Sequence, residues 1–205
     1  MRSQLIGVPL EGFAEFCRVA AAEGAVLLRN ERQVLPLKKG ECVSVFGRTQ
    51  IDFYRSGTGS GGSVNVPYTT NLLEGLRNNE EGVQVNEELA AVYEEWRKSH
   101  PFDDGGGVWA GEPWNQEEME LSDELAKAAA ERSDKALIVI GRTAGEDKDY
   151  SSDEGSYLLT EKERRMLQTV TKYFEKTAVV LNVSNIIDMS WIDDTYCEAA
   201  NCQRS

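Results

Sequence analysis

The chain is poor in the residues that carry most metal and nucleophile chemistry. Its 205 residues include one histidine, His100. Its four cysteines, Cys17, Cys42, Cys197 and Cys202, form no CxxC pair. That argues against a Cys/His zinc site, and no metal or other cofactor is expected. Neither GxSxG nor HExxH occurs, which removes the nucleophile-elbow hydrolases and the zinc proteases. Long apolar runs are also missing. No stretch approaches the roughly 20 residues of a membrane span, and none of signal-peptide length follows Arg2. Positive charge is short as well: 22 Lys and Arg against 35 Asp and Glu leave a formal net charge of −13. A nucleic-acid partner needs a basic face to displace counterions from phosphates, and an anionic membrane needs the same. Both are therefore unexpected partners. A cytoplasmic protein with reduced thiols is the expectation.

What the chain does have is enough apolar residue, 40%, to bury a core. Residues 10–23 carry Phe13, Phe16, Cys17, Ala20 and Ala21 at helical spacing, with Gly24 as a stop. Residues 25–29 read as a short extended run. Residues 42–46 read as a strand ending at Gly47, and residues 70–78 as a short helix. Asn86 is placed to cap a helix to about Ser99, with Leu89, Val92, Tyr93 and Trp96 on one face. Ser122 caps another, to about Arg132. Residues 136–140 are wholly apolar, as a central parallel strand is, and residues 178–183 read as a second buried strand. Thr160 and Glu163 form a capping box that opens a helix to about Glu175. Helices alternating with apolar strands give an α/β class with a largely parallel sheet flanked by helices. In such sheets, ligands bind at the carboxyl ends of the strands.

Two strand ends repeat one another. Val45-Phe46-Gly47-Arg48-Thr49 recurs as Val139-Ile140-Gly141-Arg142-Thr143. Both loops are expected to leave the same sheet edge, one toward a Gly/Ser stretch at 56–63 and the other toward an acidic loop at 143–150. Glu146 follows a glycine just past the apolar strand, so a carboxyl group there is placed to meet a ligand. A solvated acidic loop is the competing reading. The Gly/Ser stretch is neither GxxxxGK[ST] nor a clean GxGxxG, and no lysine lies nearby. Small residues that let a sugar approach the backbone fit it better, with a merely flexible surface loop as the competing reading. Trp109 and Trp114 read equally as a sugar-stacking platform or as local core. His100 reads as an ordinary surface histidine.

Taken together, these residues resemble one family. Glu23-Gly24-Ala25-Val26-Leu27-Leu28-Arg29-Asn30-Glu31, then Val34-Leu35-Pro36-Leu37, is similar to the opening of the α/β sandwich domain of family 3 glycoside hydrolases. Ser56-Gly57-Thr58-Gly59-Ser60-Gly61 resembles that domain's glycine/serine loop. Thr143-Ala144-Gly145-Glu146 with Asp149 resembles its Ser-Gly-Glu-Gly-x-Asp-Arg loop, and Leu181-Asn182-Val183-Ser184-Asn185-Ile186 resembles the strand that follows. The resemblance implies an incomplete, flavodoxin-like (α/β)6 sandwich over residues 1–194. It implies a retaining hydrolase of terminal β-D-glucosides or related glycosides, with Glu146 as general acid/base. Thr58, Gly59, Ser60, Arg142 and Asp149 are the implied substrate contacts, with Glu154 as second choice for the acid. Asp147 and Tyr150 depart from the family's glycine and arginine.

The nucleophilic Asp of that family comes from a separate TIM-barrel domain. A sandwich that starts near Met1 resembles the subset with reversed domain order, and residues 195–205 follow no family pattern. The reading therefore expects a truncated piece without its barrel, inactive alone, acting on a β-linked oligosaccharide or glycoside only in fuller context. An uncovered apolar face is expected to favour homo-oligomers. Two other classes stay open: a non-catalytic sugar-binding or interaction module, and a flavodoxin-like nucleotide binder.

Overall fold

The computed structural model describes residues 10–30, 32–60, 62 and 66–193. The expectations for residues 1–9 and 195–205, including Cys197 and Cys202, lie outside the described residues. The chain divides into two compact units, Met1–Gln33 and Val34–Ser205.

The first unit holds α1 (Phe13–Glu23), which ends at Gly24 as expected. Its periodic apolar residues do not form a core: Phe13, Phe16 and Val19 are exposed. Residues 25–29 form no strand.

The second unit is built on a sheet of four strands in the order β2-β1-β3-β4, every neighbouring pair parallel. The strands are β1 (Cys42–Phe46), β2 (Gln84–Val85), β3 (Lys135–Arg142) and β4 (Thr177–Val183). The helices are α2 (Leu72–Arg77), α3 (Glu87–Ser99), α4 (Asp123–Ala130) and α5 (Glu161–Tyr173). This is the expected α/β class, and only the two-residue β2 has no counterpart in the sequence reading. β3 is buried along its whole length, because β1 and β4 cover both of its edges. Its alternate residues serve two faces. Ala136, Ile138 and Ile140 pack with Phe46, Tyr93, Met166 and Leu167, whereas Leu137 and Val139 pack with Val43 and Val45. β4 corrects an expectation. It is half-buried throughout rather than buried, since it stands at the sheet edge.

The helix starts follow their caps. Asn71 accepts from the Glu74 amide at 2.8 Å, Asn86 from Leu89 at 3.3 Å and Ser122 from Leu125 at 3.2 Å. At α5, Thr160 accepts from the Glu163 amide at 3.2 Å, and the Glu163 carboxylate accepts from the Thr160 amide at 2.8 Å. Each such cap is worth about 1 kcal/mol.

Candidate functional site

Parallel β1 and β3 pair in register from Val43↔Lys135 to Phe46↔Ile138, so their Gly-Arg-Thr ends emerge on one edge. Beyond them the two loops meet. The Thr58 amide donates to Ala144 O at 2.7 Å, and the Glu146 amide donates to Thr58 O at 3.3 Å, giving a short parallel bridge between Thr58 and Gly145. The glycines make this approach feasible. A Cβ on Gly57 would lie 2.0 Å from Ala144 O, and one on Gly59 would lie 2.6 Å from Glu146 Cβ. What the small residues admit here is the acidic loop itself.

Glu146 is exposed at the tip of this pairing. Its Oε2 accepts from Ser60 Oγ at 3.3 Å and from the Ser60 amide at 3.5 Å. Thr58 Oγ1 donates to Glu146 O at 3.3 Å. Thr58, Gly59, Ser60 and Glu146, singled out separately in the sequence, therefore form one cluster. Asp149 is exposed on the same loop, and its carbonyl accepts from Trp114 Nε1 at 3.1 Å.

Arg142 does not fit the substrate contact expected of it. It is fully buried. Its guanidinium grips Glu163 with Nη1 at 2.6 Å and Nη2 at 2.8 Å. The remaining donors go to the carbonyls of Gly141 at 2.8 Å, Ser156 at 2.9 Å and Leu158 at 3.2 Å. All five N–H groups are thus spent on protein acceptors, so Arg142 ties the acidic loop to α5. Arg48, its echo, is also buried and bonds Asp52 through Nε at 3.0 Å and Nη2 at 2.8 Å. Glu154 pairs with Arg164 on α5. His100 stacks on Trp96 at 4.2 Å between ring centroids.

The segment between α3 and α4 straps the acidic loop from outside. The Thr143 amide donates to Trp114 O at 2.8 Å, and Trp109 Nε1 donates to Asp147 Oδ2 at 2.8 Å. Lys148 Nζ lies 5.0 Å from the Trp114 ring centroid and 3.3 Å from Ala110 O. Trp109 is exposed and Trp114 half-buried, and both are tied to the acidic loop through their indole N–H groups. Asp147 holds a left-handed backbone, φ 57°, which an Asp tolerates better than most residues.

Two carboxyl groups of this region escaped the sequence reading. Burial pushes the Glu112 carboxyl above its ordinary range, with the Thr143 hydroxyl beside it moderating the shift. Burial pushes Glu118 further, to about 8, although the amides of Arg48 and Met119 donate to it at 2.9 and 2.8 Å. Both sit in the stretch rich in Gly and Trp, where no periodicity marks which side faces inward. Among the described residues, no group of three or more His, Cys, Asp or Glu is arranged to hold a metal ion. No helix among them is long and apolar enough to cross a membrane.

Residues 25–200 match the Glycosyl hydrolase family 3 C-terminal domain. The chain belongs to glycoside hydrolase family 3. Among curated members of that family, the β-glucosidase of Ruminococcus albus is 53% identical over 173 residues, which are 84% of this chain and 18% of that protein. β-Glucosidase A of Butyrivibrio fibrisolvens is 31% identical over 194 residues, 84% of this chain and 22% of that protein. Among solved structures, a β-glucosidase from Paenibacillus barengoltzii superimposes with a TM-score of 0.90 at 61% identity, over 94% of this chain and 21% of that one. β-Glucosidase 3B of Thermotoga neapolitana, in complex with α-D-glucose, gives 0.78 at 32% identity, over 91% and 26%. The chain therefore spans about a fifth of the curated relatives it matches.

Proposed function

We propose that residues 1–194 are part of the sandwich domain of a retaining β-glucosidase, and that Glu146 is its general acid/base. The contact between the Gly/Ser loop and the acidic loop carries this reading. It holds an exposed carboxylate at the carboxyl edge of a parallel sheet, with Ser60 bonded to one of its oxygens. Such a group donates a proton to the leaving glycosidic oxygen, then takes one from water as that water attacks the glycosyl-enzyme. The second carboxylate of a retaining pair stands about 5 Å from the first. In this reading it is an Asp of a TIM barrel, and the substrate is a terminal β-D-glucoside or a related glycoside. Thr58, Gly59, Ser60 and Asp149 line the approach. Arg142 acts one layer behind, through the loop it anchors.

The test is hydrolysis of p-nitrophenyl β-D-glucoside. The chain alone should show negligible turnover. Mixed with a separately produced barrel from a close relative, it should gain turnover that Glu146→Gln removes. Robust turnover by the chain alone would refute the division of labour. Turnover of the mixture that survives Glu146→Gln would refute the role of Glu146.

A further inference from the structure

Residues 103–116, between α3 and α4, form a loop closed at its root. Gln116 holds Asp103 from both sides. Its Oε1 accepts from the Asp103 amide at 2.7 Å, and its Nε2 donates to Asp103 O at 2.9 Å. Above the root the two arms pack backbone to backbone, so that a Cβ on Gly105 would lie 2.1 Å from Gly111 C. The Val108 amide donates to Gly105 O at 3.3 Å and the Gly111 amide to Val108 O at 2.9 Å, which folds the tip. Trp109 stands on that tip, already placed by the loop beneath it.

This loop meets the acidic loop on both sides of Glu146. Before it, the Thr143 amide bonds Trp114 O. After it, Asp147 Oδ2 accepts from Trp109 Nε1 at 2.8 Å, Lys148 Nζ donates to Ala110 O at 3.3 Å, and Asp149 O accepts from Trp114 Nε1 at 3.1 Å. Between these ties, Glu146 and Asp147 are the two central residues of a turn closed by the Lys148 amide on Gly145 O at 3.2 Å. Asp147, with φ 57°, takes the third position, where such a turn needs a positive φ and usually has glycine or asparagine.

The carboxylate of Glu146 is held more loosely than the turn that carries it. Its bonds to Ser60, at 3.3 and 3.5 Å, are long for their types. Exposed loops are mobile, and a left-handed Asp costs about 1 kcal/mol. The indole bond to Asp147 is shorter than either Ser60 bond and acts on the strained residue itself.

We propose that Trp109 is a positioning residue: its indole N–H, bonded to Asp147, locks the turn that keeps the Glu146 carboxylate at Ser60. This role rests on the reading of Glu146 as general acid/base. Trp109 acts through Asp147 and needs no contact with substrate.

Three variants test it. Trp109→Phe keeps an aromatic ring without the N–H donor, and Asp147→Gly removes the acceptor. Asp147→Asn keeps an acceptor oxygen and tolerates the left-handed region. In the ¹⁵N-labelled full chain, the Ser60 amide should shift as Glu146 ionises, a response that Glu146→Gln abolishes. Trp109→Phe and Asp147→Gly should each weaken that response, their double variant no further than either alone, and Asp147→Asn should retain it. In the mixture with a separate barrel, Trp109→Phe should lower kcat by up to about 100-fold, the worth of a misplacement of about 1 Å, with KM nearly unchanged. A Ser60 response unaltered in Trp109→Phe overturns the proposal. So does a rise in KM without a fall in kcat, which would put the indole on the substrate. Turnover that survives Glu146→Gln refutes the acid/base reading instead, and a Ser60 response lost in Trp109→Phe then still upholds the latch.

Discussion

Replacing Arg142 separates a structural role from a substrate contact. The side chain is 0% exposed and its partner Glu163 is 6% exposed. Arg142→Met fills much of the volume but leaves the Glu163 carboxylate buried opposite a thioether. It also strips the Gly141, Ser156 and Leu158 carbonyls of their donor. Breaking a buried pair by removing one partner costs about 3–5 kcal/mol. For a chain of this size that is a fall in Tm of about 6–20 °C. Glu163→Gln keeps the capping box that opens α5, because a glutamine at that position still reaches the Thr160 amide. The double variant Arg142→Met/Glu163→Gln should therefore lose less than the sum of the single losses, by about 1–3 kcal/mol. Urea and thermal unfolding followed by circular dichroism measure all three. A loss below about 1 kcal/mol for Arg142→Met, the worth of an exposed pair, would refute the structural assignment.

Glu118 predicts a pH dependence. Its folded pKa, raised by burial to about 8, lies above its unfolded value of 4.5. The folded state therefore binds the extra proton, and stability falls as pH rises from about 4.5 to about 8, then levels off. Glu118→Gln should flatten that slope in urea titrations across this range, and an unchanged slope counts against the buried acid. Gly57→Ala should push the acidic loop away, since the new Cβ would meet Ala144 O at 2.0 Å. The amide resonances of Ala144 to Glu146 should shift, and unmoved resonances contradict the packing. Asp147→Gly relieves a left-handed non-glycine backbone, worth about 1 kcal/mol, but frees Trp109 from its bond. Tryptophan emission should move to the red, and an unaltered spectrum contradicts the Trp109–Asp147 contact.

The elements whose periodicity or capping is complete were legible in the sequence. β1 and β3 are apolar runs beside turn glycines, and Asn86, Ser122 and Thr160 each open the helix expected of them. The repeated Gly-Arg-Thr was enough to place both loops on one edge, because parallel neighbours end on the same side. Glu146 stood out for the same reason, and its meeting with Ser60 followed once those loops were adjacent. Spacing alone could not say that Arg142 faces inward to Glu163 rather than outward to a ligand. The residues are 21 apart, and only the packing of α5 on β3 brings them together. Nor could it show that β4 is an edge strand, since an apolar run looks the same at an edge as at the centre. Tyr54, Glu112 and Thr143 make the same point more sharply. They come from three separate segments and carry no common motif, yet the fold sets the Thr143 hydroxyl beside Glu112 and brings the Glu112 charge to bear on the Tyr54 phenol. Local pattern determined which segments form and where the chain turns. The tertiary structure decided which polar groups are spent inside the protein and which remain for a ligand, because that depends on neighbours far away in sequence.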